Sequence, residues 1–181
     1  MNKQPEVTEK TKNKIVCAFC EMYETIPIEK IYVKDVIKHA GYNRSTFYQY
    51  FEDIYSLRDY VENDILKTIH SQIEESGNNA NALVEMFEQK EVYLKALLGS
   101  YGSIHFLDRL KNEVLPYIEL QLVDVPQQLK PYIEEFHIYT TLSLFRLWIS
   151  RGKDISQQEL FGLVHNLYNG GYERIVDNRY K

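Results

Sequence analysis

Apolar residues recur three and four positions apart along most of the chain, and no stretch carries the alternation of a strand. That spacing marks helices with one buried face. Ile15, Phe19 and Met22 form one stripe of a first helix, and Val16, Cys20 and Tyr23 form another. Thr8 is placed to cap this helix, with Glu9 in its first turn where the helix dipole favours an anion. Ile26-Pro27 stops it. Val33, Val36 and Ile37 define a short second helix, ended at Ala40-Gly41 because Gly takes the left-handed conformation a C-cap needs. Asn43 suits the N-cap of a third helix, whose Phe47 and Phe51 lie four apart and turn inward. Asp53 opens a long fourth helix with Ile54, Leu57, Val61, Ile65, Ile69 and Ile73 on one face. Residues 76–79, Ser-Gly-Asn-Asn, are a loop.

Beyond Ala80 the pattern predicts helices near 81–89, 91–99, 103–121, 129–151 and 156–176. Gly99 to Gly102 separates one pair, Pro116 interrupts the third of these helices, and Pro126 and Pro131 mark the next connection. Ser156 with Glu159 three residues on has the form of a capping box. The predicted fold class is all-α. It consists of an N-terminal helix-turn-helix domain, residues 1–57, and a C-terminal helical regulatory and dimerisation domain, residues 58–181.

With Phe47 and Phe51 inward, the third helix presents Arg44, Ser45, Thr46, Tyr48 and Gln49 outward. Hydroxyls, an amide, a phenol and a guanidinium suit the major groove better than a packed interface. Two short helices joined by a tight turn, the second carrying these groups, form a helix-turn-helix with its recognition helix second.

The run Ala40-Gly41-Tyr42-Asn43-Arg44-Ser45-Thr46-Phe47-Tyr48-Gln49-Tyr50-Phe51, followed by Leu57, resembles the DNA-binding signature of the TetR family of bacterial transcriptional regulators. The likeness extends back to Ile15–Tyr23, which is similar to that family's first helix. The Asn-Arg-Ser-Thr-Phe-Tyr form resembles a subgroup that includes regulators of dihydroxyacetone kinase operons. The resemblance implies a TetR-like fold, a double-stranded DNA operator, a small-molecule effector and a homodimer. Carried onto this chain, it makes Tyr32, Asn43, Arg44, Ser45, Thr46, Tyr48 and Gln49 the DNA-facing residues. Arg44 and Thr46 would reach bases, Ser45 less directly, while Tyr32, Tyr48 and Gln49 would reach phosphates. Three positions depart from the family pattern: Tyr32 stands where Thr usually opens the second helix, Ile37 where a small residue is common, and Ile54 where Lys commonly opens the fourth. Glu52 and Asp53 precede Ile54, so a cation is lost and two anions stand near.

The net charge of −5 is unevenly spread. Residues 1–50 hold eight Lys or Arg against six Asp or Glu, and residues 51–181 hold thirteen against twenty. Only the N-terminal part has a surplus to meet phosphate, and Lys3, Lys10, Lys12 and Lys14 gather there. No apolar run approaches the roughly 20 residues of a membrane helix. Met-Asn-Lys-Gln-Pro-Glu at the N-terminus lacks the apolar core of a signal peptide, so the expected location is cytoplasmic. Cys17 and Cys20 have Cys-x-x-Cys spacing, but no second Cys or His pair follows to complete a zinc site, and both fit a helix core. No metal and no cofactor are expected.

The last two predicted helices are apolar nearly all round, as in Phe136, Tyr139, Leu142, Phe145 and then Leu160, Phe161, Leu163, Val164. Such helices must bury more than one face. A two-fold dimer using two helices per subunit satisfies this, with Leu144, Leu147, Trp148, Leu160, Val164 and Leu167 as interface residues. Tyr93, Tyr101, His105, Tyr117 and Tyr139 offer apolar walls with polar tips, a lining suited to a small-molecule effector. The five histidines are scattered and no phosphate loop or nucleophile motif occurs, which argues against an enzyme. The function read from these features is a ligand-responsive repressor that binds a palindromic operator as a homodimer. Glu52, Asp53 and Ile54 leave a second reading open, a protein-interaction adaptor with weak DNA binding.

Overall fold

The computed structural model describes residues 5–76, 88–114 and 125–177. Those residues form eight α-helices and one 3-10 turn, with no strand among them. The helices are α1 (Pro5–Tyr23), α2 (Val33–Ala40), α3 (Arg44–Phe47), α4 (Ile54–Ser76), α5 (Glu91–Leu98), α6 (Ile104–Val114), α7 (Lys130–Ser150) and α8 (Gln157–Asp177). The chain is all-α, as the hydrophobic spacing predicts. Most of the helix expected at 81–89 lies outside the described residues, as does Pro116 with the rest of the 103–121 helix beyond 114.

The chain divides into two compact units, residues 1–113 and 114–181. In the first, α1 packs mainly on α2 and α5, and α5 also meets α4. Ile15, Val16, Phe19 and Cys20 of α1 are fully buried, so both predicted stripes face the core. The start of α1 differs from expectation. It begins at Pro5, a residue whose fixed φ suits a first helical position, so Thr8 lies inside the helix and is not its cap.

Three side-chain links join elements distant in sequence. The Tyr23 hydroxyl donates to the Tyr101 carbonyl at 2.8 Å, fastening the end of α1 to the turn after α5. Lys90 Nζ donates to Asp64 Oδ2 at 2.6 Å, linking the start of α5 to α4. Arg109 on α6 donates to Glu62 Oε2 on α4 at 3.0 Å. α4 is thus tied to α5 through Asp64 and to α6 through Glu62, and it runs unbroken through Leu57 and Arg58.

In the second unit α7 and α8 pack on each other across the turn at 151–156. Trp148 is 7% exposed, and its indole N–H donates to the Ile155 carbonyl at 2.8 Å. The capping box forms as predicted: the Ser156 amide donates to Glu159 Oε2 at 2.7 Å and the Glu159 amide to Ser156 Oγ at 3.2 Å. Hydrogen bonds from Ser156 hold the Glu159 carboxyl below its usual range.

Candidate nucleic-acid interface

The turn between α2 and α3 is built by two residues. Gly41 adopts φ 75°, ψ 31°, and its amide donates to the Ile37 and Lys38 carbonyls. Asn43 then caps α3: Oδ1 accepts from the Thr46 amide at 3.0 Å, the Thr46 hydroxyl at 3.0 Å and the Ser45 hydroxyl at 2.6 Å. One amide oxygen thus fixes the whole first turn of a helix only four residues long. A cap of this kind is worth about 1 kcal/mol.

Phe47 is fully buried and stacks edge-on to Tyr48 and at a tilt to Phe51, which is 6% exposed. These rings anchor α3 inward and set the rest of it outward. Arg44, Ser45 and Gln49 are exposed, Tyr48 is 57% exposed, and Thr46 is half-buried behind Asn43. Tyr32, 55% exposed, is the N-cap residue of α2 and makes no side-chain cap bond, and Lys34 lies over its ring at 5.4 Å. Each residue expected to face DNA therefore sits in the first unit, on or beside α2 and α3.

Position 54, where the resemblance leads to the expectation of Lys, is buried. Ile54 is 6% exposed, so its side chain belongs to the core. Asp53 is a cap: its carboxylate accepts from the Ser56 amide at 2.7 Å, while Ser56 Oγ accepts from the Asp53 and Glu52 amides at 3.0 and 3.1 Å. Tyr55, the next residue, is 48% exposed beside Arg58, whose guanidinium is 5.7 Å from its ring centre. Tyr55 and Lys34 are exposed groups of this region that residue patterns did not single out. A weak signal for Tyr55 existed, since it is the polar-tipped position between the inward Ile54 and Leu57.

The residues expected to hold an effector are spread more widely. Tyr93 is half-buried under Lys90, whose Nζ is 5.0 Å from the ring centre, and it lines a cavity of about 450 Å³ in the first unit. Burial pushes its phenol well up. Tyr101 is 44% exposed and takes part through its backbone carbonyl. His105 is exposed at the start of α6. Tyr139 is half-buried on α7 in the second unit, and Tyr117 lies outside the described residues.

Of the residues expected at a dimer interface, Leu147 and Leu167 are 53% and 57% exposed, and Leu144 and Val164 are half-buried. Trp148 and Leu160 are buried within the chain, at 7% and 4% exposed. Trp148 packs on Phe145 with ring centres 5.4 Å apart. Phe136 and Leu163, exposed on the same two helices, are further apolar groups there.

Cys17 and Cys20 are free thiols, and burial raises both above their usual values. No group of three metal-ligating side chains occurs among the described residues. No helix of the described residues is long and apolar enough to cross a membrane.

Comparison with known proteins follows the same lines. A TetR-type family model described as "Transcriptional regulator C-terminal region" matches residues 74–170. No curated protein matches the chain. A TetR transcriptional regulator from Streptococcus agalactiae 2603V superposes with a TM-score of 0.62 at 23% identity, over 90% of this chain and 96% of that one. The dihydroxyacetone kinase operon activator DhaS superposes with a TM-score of 0.55 at 21% identity, over the same shares of the two chains. The family model spans more than half of the 181 residues, and the chain belongs to the TetR family of transcriptional regulators.

Proposed function

We propose that this protein is a ligand-responsive transcriptional repressor that binds a palindromic operator as a homodimer in the cytoplasm. The observation that carries the proposal is the capped α3, with Phe47 fully buried and Arg44, Ser45, Tyr48 and Gln49 exposed. Arg44 is assigned to a guanine edge, which its fork matches in the major groove. Thr46 and Ser45 donate their hydroxyl protons to Asn43, so they offer lone pairs to donors such as an adenine or cytosine amine. Tyr32, Tyr48 and Gln49 are assigned to phosphates, and Asn43 holds the turn that aims them.

Residues 1–57 act as the reading domain and 58–181 as the effector and dimerisation domain, with α4 the continuous element between the two roles. Leu144, Leu147, Val164 and Leu167 of α7 and α8 form the subunit contact, which spaces two recognition helices by one DNA turn, roughly 34–36 Å. An effector held by Tyr93, Tyr101 and His105 of the first unit shifts the population of α4 orientations.

The second reading is an adaptor with weak DNA affinity. It is favoured by the exposed Glu52 and by the buried Ile54 where a cation is usual. Operator binding measured against salt separates the two: a DNA reader loses affinity steeply and linearly on a log–log plot, retaining its sequence preference. An adaptor shows no preference at any salt. A structural relative is an operon activator, and run-off transcription with and without the protein decides the sign of regulation.

A further inference from the structure

We infer that the cleft where α1, α4 and the start of α5 meet is a binding site for a small organic cation, an amine or quaternary ammonium compound. The cleft is built by helical spacing. Glu9 and Cys17 lie eight apart on one face of α1, Tyr60 and Asp64 four apart on α4, and Lys90 and Tyr93 arrive with α5. The cleft is open to solvent on one side, and its volume of about 450 Å³ is within the range of small-molecule sites.

The chemistry of its walls points to positive charge. Lys12 Nζ sits 3.9 Å from the centre of the Tyr60 ring, and Lys90 Nζ sits 5.0 Å from the centre of the Tyr93 ring. Lys90 Nζ is also 2.6 Å from Asp64 Oδ2. Each tyrosine face therefore already holds an ammonium group, drawn by the ring quadrupole, and at Tyr93 a carboxylate adds to the attraction. Both lysines hang on flexible four-carbon stems with a strongly hydrated head, so each can swing out to water. A free ammonium compound meets the same two rings and carboxylate. With Lys12 and Lys90 swung out to water, an anion is left facing Asp64 and Glu9, and a neutral molecule gains at most a hydrogen bond from the carboxylates, without the attraction of opposite charge.

Occupation has a mechanical consequence. Displacing Lys90 from Asp64 removes a link between α5 and α4 at the level of α1, which packs on the helix-turn-helix. That regulatory use rests on the DNA-binding reading, whereas the site itself does not.

The test is calorimetric titration of the full chain with choline, with its neutral isostere 3,3-dimethylbutan-1-ol, and with benzoate. The expected result is saturable binding of choline alone. Tyr60→Leu and Tyr93→Leu should each weaken it by about fivefold or more, as for a lost cation–ring contact. Lys90→Met, which removes a competing resident cation, should tighten it. Equal binding of choline and its isostere, or benzoate binding that Lys90→Met abolishes, overturns the inference. So does absence of choline binding to Lys90→Met, in which the Tyr93 seat is open. Adding choline to operator complexes separates the two readings: choline binding with unchanged operator affinity leaves the site standing and removes its regulatory use.

Discussion

Arg109 on α6 donates to Glu62 on α4 across 47 positions of sequence, at 3.0 Å, and so pairs the charged side chain that is most deeply buried among the described residues. Glu62 is 4% exposed, with Arg58 Nε 3.5 Å from its other oxygen. Arg109 also donates to Asn63 Oδ1. Arg109→Ala would leave a buried carboxylate with one weaker partner. Such a loss costs about 1–3 kcal/mol, and the lower part of that range is expected because the Arg109 side chain is 43% exposed and screened by water. Urea unfolding of the variant measures it.

The same carboxyl sets a pH dependence. Burial raises Glu62 above its ordinary 4.5, outweighing the nearby Arg58 and Arg109. A raised folded-state value means the folded chain takes up the proton first as pH falls. Its stability relative to a Glu62→Gln variant, which cannot ionise, should therefore grow as pH falls through the raised folded-state value toward the ordinary glutamate value. If wild type instead loses ground to the variant on acidification, the ion pairs dominate the burial and the assignment of cause is wrong.

The α2–α3 turn should tolerate little change. An ideal Cβ on Gly41 meets nothing within 4 Å, so Gly41→Ala carries only the left-handed penalty, about 1–2 kcal/mol. Asn43→Ala removes the acceptor of three donors and should cost about 1 kcal/mol as a lost cap. Thermal melts report both, and the Asn43 variant should also lose operator affinity because α3 is no longer aimed.

Leu147 and Leu167 are exposed in the single chain, so charge placed there should not disturb the fold. Leu147→Glu and Leu167→Glu are expected to remain helical and to sediment as monomers, since a dimer would bury unpaired carboxylates. Trp148→Ala should instead unfold the second unit, by about 3–5 kcal/mol, because its side chain is core. Dimers of wild-type size in both Glu variants would place the subunit contact elsewhere.

The features legible in the sequence are those decided within a few residues. Gly41, Asn43, Asp53 and the Ser156–Glu159 box each satisfy a helix end with a neighbour three or four positions away, and each forms as the residue types dictate. Thr8 misled for the same local reason: a hydroxyl before an apolar stripe is a cap candidate, and only the presence of a further turn back to Pro5 removes it. Glu62–Arg109 and Lys90–Asp64 were not legible, because nothing local distinguishes a charge on a helix face from one clamped by a helix far along the chain. Trp148 and Leu160 show the limit of an all-round apolar pattern. It says that two faces are buried, but not which residues the chain covers with itself.

The central claim is that α3 reads DNA, and selection of bound sequences from random duplexes, run in parallel on wild type and Arg44→Ala, tests it most directly. Wild type should enrich a near-palindrome with half-sites one helical turn apart. Arg44→Ala should bind the winning sequence about 1–3 kcal/mol more weakly and lose preference at one base pair per half-site. No enrichment by wild type, or identical preferences in the two proteins, would contradict the account.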